Sequence, residues 1–176
     1  MMETLQVASW DHAGLAIAHA LRSPWLDSFF LAITWLGSLA VLLPLAILLW
    51  WRHGKPARFV ALALLGAAGL VHLAKLLMAR PRPDFFPALI EMPVDASFPS
   101  AHAMQATAFA LGWLLRPGNT PGYGESALLL LVVLLVGLSR LYLQVHFPSD
   151  IVAGVILAML WVWLLHRWQA SRENSA

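Results

Sequence analysis

Cysteine is absent from the 176 residues, which excludes disulfides, thiolate zinc sites and iron-sulfur clusters. Charge is scarce too: Asp, Glu, Lys and Arg make up 11% of the chain and leave a formal net charge of only +2. The basic residues stand at the ends of hydrophobic runs and form no stripe, so nucleic acid is not an expected partner. No polar linker, low-complexity run or repeat divides the sequence, and one domain over residues 1–176 is expected. The start of the chain lacks the apolar core and cleavage site of a removable signal peptide, because Asp11, His12 and Arg22 interrupt it. Insertion into a membrane must then rest on the mature segments.

Apolar side chain is what the sequence has in excess. Hydrophobic residues reach 60%, with nine tryptophans, too apolar for a soluble domain of this size. A helix that crosses a bilayer needs about 20 apolar residues. Leu26 to Trp51, Ala57 to Leu77, Ser126 to Leu143 and Ile151 to Trp168 meet or approach that length. Ala101 to Leu115 is shorter, but starts after Pro99-Ser100 and ends before Pro117-Gly118, and is read as a fifth span. The expected fold is therefore all-α, a polytopic membrane bundle of five or six helices. The uncertain member lies in residues 1–24. Leu5 to Leu21 places Val7, Trp10, Gly14, Ile17 and Leu21 on one face, opposite His12 and His19, and fits either an interfacial helix or a sixth span. Trp35-Leu36-Gly37-Ser38 is a natural break within the first long run.

Arg52, Lys55 and Arg58 cluster between the first two long runs, and the positive-inside rule assigns that link to the cytoplasm. Threading onward puts residues 80–98 and 144–149 outside and the tail with Arg167 and Arg172 inside. Trp50, Trp51, Trp163 and Trp168 read as interfacial belt residues.

The two outer loops and the helix ends beside them hold Lys75, Arg82, Arg140, His102, His146 and Asp150. An arginine or lysine at the centre of a bilayer helix costs about 2.5 to 3.5 kcal/mol, so six ionisable groups at one face call for a shared role. Any one of them alone reads as a snorkelling or bridging side chain. Ser100 is the expected N-cap of the helix starting at Ala101, whose free amides would cradle an anion beside His102, a candidate proton donor. Asp150 follows His146 by four residues and could accept a hydrogen bond from one ring nitrogen, freeing the other to attack. His102, His146 and Asp150 could in principle hold a metal, but three neighbouring cations would repel one and attract a phosphate dianion. No metal and no cofactor are therefore expected. His72 is read as an interhelical hydrogen-bonding residue, and Asp84, Glu91 and Asp95 as solvated loop charges.

Three clusters carry a resemblance: Lys75, six residues, Arg82-Pro83; Pro99-Ser100-Ala101-His102; and Ser139-Arg140, five residues, His146, three residues, Asp150. Together they resemble the signature of the type 2 phosphatidic acid phosphatase superfamily, which includes bacterial undecaprenyl diphosphate phosphatases and soluble vanadium haloperoxidases. They cover residues 75–150. The pattern usually has glycine where Ala101 stands, a methyl group added beside the cradle. The resemblance implies that His146 attacks phosphorus to give a phosphohistidine, that Asp150 orients it and that His102 protonates the leaving group. It also implies that Lys75, Arg82, Ser100, the Ala101 amide and Arg140 hold the phosphate oxygens. The expected partner is a lipid phosphate or diphosphate, with undecaprenyl diphosphate favoured by the phrase Asp95-Ala96-Ser97-Phe98-Pro99-Ser100. Phosphatidylglycerol phosphate, phosphatidic acid, diacylglycerol pyrophosphate and lipid A 1-phosphate are alternatives, as are phosphate transfer to a second lipid and a non-enzymatic lipid carrier. The expected location is the cell inner membrane, with the site on its periplasmic or extracellular face.

Overall fold

The computed structural model describes residues 8–173, and it contains seven α-helices and two short 3-10 turns among them, with no strand. Helix α1 runs Ser9–Ala20; Leu5 and Val7 of the expected segment lie outside the described residues. Helix α2, Pro24–Ile33, starts with Pro24 at its first position and Ser23 at its N-cap, whose hydroxyl accepts from the Leu26 amide. A 3-10 turn, Thr34–Gly37, then separates α2 from α3, Leu39–His53, and the two helices bend by 49° at this break. Ser38 caps α3 by accepting from the Ala40 amide. The expected interruption at Trp35 to Ser38 is thus present.

Helix α4 spans Arg58–Met78, α5 Ala101–Leu114, α6 Tyr123–Tyr142 and α7 Pro148–Glu173. By length and composition α4, α6 and α7 are each able to cross a membrane, and the bent pair α2 and α3 supplies a fourth crossing if it counts as one span. The chain is a multi-pass membrane protein. Its large apolar side chains face outward in number, among them Leu65, Leu73, Leu130, Leu134, Met159 and Leu164, as hydrocarbon contact requires. Trp51, Trp163 and Trp168 are also exposed.

Apolar burial gives little drive between helices in lipid, so close packing of small residues holds the bundle. Helix α5 supplies it: Ala103, Ala106, Ala108, Ala110 and Gly112 are buried, and α5 packs against α3, α4, α6 and α7. A Cβ on Gly112 would approach Ala63 Cβ to 3.0 Å, and one on Gly154 would lie 2.8 Å from the Ser100 carbonyl oxygen. Glycine at these two positions lets α4 and α7 come up to the α5 backbone. Trp161 lies flat on Gly66 and donates its indole N–H to the Ala63 carbonyl at 2.9 Å, fastening α7 to α4.

Helix α1 turns its apolar face outward. Trp10, Ile17 and Leu21 are exposed, whereas Asp11, Leu15 and Ala18 are buried. Asp11 finds polar partners on the protein, and this decides the orientation more than apolar periodicity does. His12 and His19 touch the loop after α4, with His12 edge-on to Phe85 at 4.9 Å and His19 stacked on Phe86 at 4.6 Å.

Candidate active site

The site is assembled where α4 and α6 end and α5 and α7 begin. Two residues with positive φ turn the chain into it. Ala79 (φ 42) ends α4 immediately before Arg80, and Gln144 (φ 62) follows α6 two residues before His146. Non-glycine residues rarely hold this conformation, and it persists where surroundings over-determine it. Gln144 is buried and held by donating to the Leu15 carbonyl at 2.9 Å.

His146 lies in the connection between α6 and α7 and is buried to 1% exposure. Its Nδ1 is 3.5 Å from Asp150 Oδ2, while its Nε2 is 3.2 Å from an Arg82 guanidinium nitrogen. A carboxylate on one side and a pure donor on the other assign the ring proton to Nδ1 and the lone pair to Nε2. Burial is the main reason that the imidazole is held down at about 4 from its ordinary 6.5; Arg140 and Arg82 lower it further, and Asp150 opposes them. The ring is therefore neutral at pH 7.

Asp150 is fully buried and fully satisfied. Its Oδ2 accepts from Ser97 Oγ at 2.5 Å and from the Phe147 amide at 2.9 Å, and its Oδ1 accepts from Arg80 at 2.6 Å. Arg80 also donates to Ser149 Oγ at 2.7 Å and to Asp11 Oδ2 at 2.9 Å, and its guanidinium lies 4.1 Å over the Phe147 ring. Asp11 in turn accepts from the Ser149 amide at 2.8 Å and the Ser149 hydroxyl at 2.6 Å, capping α7 from another helix. A line Asp11, Arg80, Asp150, His146 thus runs from α1 to the imidazole. Arg80, Ser97, Asp11 and Ser149 were not singled out from sequence as site residues. The available signals were the first arginine of Arg80-Pro81-Arg82-Pro83 and a carboxylate inside the first apolar segment.

The remaining expected residues take up places around this line. Lys75 and Arg82 line a cavity of about 460 Å³ with Arg80, Asp95 and the apolar Leu76, Met92, Pro93 and Val94. Arg140 is buried on α6 and donates to Thr34 Oγ1 at 2.7 Å, from the break between α2 and α3. Ser100 stands at the N-cap of α5, but its hydroxyl makes no capping bond, and its amide donates to the Asp150 carbonyl at 3.0 Å. Its side chain is better described as free for another acceptor. The hydroxyl of Ser100 and the Nε of Arg140 are both buried without a hydrogen-bond partner among the described residues. Buried donors of this kind are rare and point to a ligand. Ala101 and His102 occupy the first turn of α5, whose amides have no intrahelical acceptor. His102 makes no side-chain hydrogen bond among the described residues and lies within electrostatic reach of Arg140, His146, Arg82 and Lys75. No three His, Asp or Glu side chains are grouped as a metal site among the described residues.

Two sequence expectations change. His72 is exposed and makes no side-chain hydrogen bond among the described residues, so it bridges none of their helices. Asp95 is not a solvated loop charge: it pairs with Lys75 at 3.0 Å and Arg82 at 2.6 Å. Burial raises its carboxyl, but the hydrogen bonds from Lys75 and Arg82 outweigh that and hold it at about 2.

A multi-pass helical bundle with buried donors that have no partner among the described residues, and a neutral histidine among cations, fits one class, the membrane phosphatases. Within it, the model of the PAP2 superfamily matches residues 56–174, and the chain belongs to that superfamily. Phosphatidylglycerophosphatase B of Bacillus subtilis is 30% identical to it over 93% of this chain and 85% of the relative. Undecaprenyl-diphosphatase BcrC of the same organism is 32% identical over 81% of this chain and 75% of the relative. The crystal structure of a transmembrane PAP2 type phosphatidylglycerolphosphate phosphatase from Bacillus subtilis superposes with a TM-score of 0.81 at 28% identity, covering 96% of this chain and 89% of that one. The chain is a lipid phosphatase.

Proposed function

We propose that this chain is one phosphatase unit that hydrolyses undecaprenyl diphosphate to undecaprenyl phosphate through a phosphohistidine, without a metal, at the periplasmic or extracellular face of the cell inner membrane. The observation that carries the mechanism is the polarised imidazole, with Asp150 at Nδ1 of His146 and the lone pair on Nε2. Nε2 attacks the terminal phosphorus, the bond to the bridging oxygen breaks, and His102 passes to that oxygen a proton that the terminal phosphate brings into the site. Lys75, Arg82, Arg140, the Ser100 hydroxyl and the Ala101 amide take the equatorial oxygens, which is where charge needs fixed donors in phosphoryl transfer. Water then adds to phosphorus, its proton passes to His102, the N–P bond breaks and inorganic phosphate leaves.

The polyprenyl substrate is supported by the likeness to undecaprenyl-diphosphatase BcrC and by a cationic cavity whose rim carries exposed Leu76 and Val94, suited to a headgroup whose chain stays in the bilayer. The outer face is supported by Arg52, Lys55 and Arg58 at the opposite end of α3 and α4, if α5 is counted as a fifth crossing and α1 as interfacial. A second reading, phosphatidylglycerol phosphate, rests on the relative that matches over 93% of this chain.

The deciding experiment is phosphate release by the purified protein in detergent, with and without chelator. Its panel is C55 prenyl diphosphate, phosphatidylglycerol phosphate, phosphatidic acid and a lipid A 1-phosphate. The proposal expects the highest kcat/KM on the prenyl diphosphate and no effect of chelator. A preference for phosphatidylglycerol phosphate selects the second reading, and loss of activity in chelator rejects the mechanism.

A further inference from the structure

Donor accounting around Arg82 and Lys75 gives Asp95 a role in choosing the substrate. The Arg82 side chain is committed on every nitrogen: Nε donates to the Asp95 carbonyl at 3.0 Å, one terminal nitrogen to the Val145 carbonyl at 2.7 Å and to His146 Nε2 at 3.2 Å, and the other to Asp95 Oδ1 at 2.6 Å. Lys75 donates to the Ala96 carbonyl and pairs with Asp95 Oδ2 at 3.0 Å. Both cations are buried, at 6% and 8% side-chain exposure, whereas Asp95 is 47% exposed at the mouth of the cavity they line. The carboxylate therefore bridges the two cations from the solvent side and occupies the position a headgroup would have to take to reach them. It also helps hold Arg82 over the Nε2 lone pair of His146.

From this we infer that Asp95 is a specificity-determining residue, an internal anion that only a headgroup of higher charge displaces from Lys75 and Arg82. The inference rests on the proposed phosphatase site. A phosphodiester headgroup offers the cations one negative charge on two free oxygens, the same as the carboxylate it would replace, so exchange gains nothing. A terminal phosphate carries about −1.5 to −2 charges and three acceptor oxygens, and gains on both counts. Bulk anionic phospholipids are phosphodiesters and surround the site at far higher concentration than any phosphomonoester. Asp95 acts against them by repulsion and competition, specificity obtained by disfavouring the wrong ligand. When a terminal phosphate takes Asp95's place, Arg82 can turn to it and leave Nε2 free to attack.

The test compares wild-type protein with Asp95→Asn, which keeps the side-chain shape and removes the charge. Turnover is measured in mixed micelles containing either phosphatidylcholine or phosphatidylglycerol, and orthovanadate affinity by thermal shift. Asp95→Asn is expected to bind vanadate about fivefold more tightly, in the range of a partly exposed ion pair, and to become inhibited by phosphatidylglycerol that leaves the wild type unaffected. Weaker vanadate binding by Asp95→Asn would mean that Asp95 organises the cations for the ligand, and would overturn the inference. So would equal resistance to phosphatidylglycerol in both proteins. The vanadate arm needs no turnover, so a wild type that releases no phosphate from any lipid defeats the phosphatase proposal while this comparison still reads out Asp95.

Discussion

His146 is neutral because it is buried beside two arginines, and the acid limb of activity should reflect that. With its proton affinity held at about 4, the free nucleophile is lost only as pH falls through that value, not through 6.5. The unfolded chain binds this proton between 6.5 and about 4, so the group's contribution to stability is complete above 6.5 and disappears as pH drops across that window. A kcat/KM profile on a substrate whose own ionisation is known will measure the limb. His146→Ala should lower kcat by at least about a thousandfold while vanadate still binds, as removal of a nucleophile does. Asp11 and Arg80 touch no reacting atom in this scheme and act as positioning residues. Arg80→Ala leaves Asp11 and Asp150 buried and unpaired, and is expected to lose about 3 to 5 kcal/mol of stability in detergent unfolding. Asp11→Asn keeps an acceptor for Ser149 but weakens the hold on Arg80; kcat should fall about tenfold with KM unchanged, and Asp11→Glu should recover part of it. A purely structural Asp11 would instead lower the folded fraction and leave kcat per folded molecule intact.

The break between α2 and α3 matters for the site more than for crossing the membrane. Gly37 sits there against α5 and α6: a Cβ would lie 2.5 Å from Val136 Cγ1 and 3.0 Å from both His102 Cβ and the His102 carbonyl oxygen. Thr34, in the same turn, receives the Arg140 hydrogen bond. Gly37→Val should therefore displace His102 and Arg140 together, and reduce turnover by about a hundredfold in protein that still folds, with overpacking costing about 1 to 3 kcal/mol. Comparing phosphate release with the melting temperature separates the two effects. The helices themselves were legible because each long apolar run ends at a visible punctuation, such as Pro117-Gly118 after α5 or Pro148 before α7. What α1 packs with was not legible, because Asp11 finds its partners Arg80 and Ser149 far along the chain.

At the scale of the whole molecule, apolar exterior and polar knot divide the protein by depth. Absence of cysteine makes that division measurable with single introduced thiols. Val94, fully exposed beside the cationic cavity, and Thr120, exposed in the connection between α5 and α6, should lie on opposite sides of the membrane. In intact cells Val94→Cys is expected to react with an impermeant maleimide and Thr120→Cys only after permeabilisation. The reverse pattern would place the site in the cytoplasm.

Residue order alone determined that this chain dissolves in lipid and that a few ionisable groups share one end of its helices, because transfer energies of apolar runs and of charges act locally along the sequence. It also named the three clusters of the site. The folded bundle decided what no spacing encodes: that Arg80 and Ser97 hold Asp150, that Asp11 reaches Arg80 from the first helix, and that Asp95 sits across Lys75 and Arg82. Those pairings join residues 13 to 70 positions apart in the sequence, and a buried charge takes whichever opposite charge the packing brings within reach.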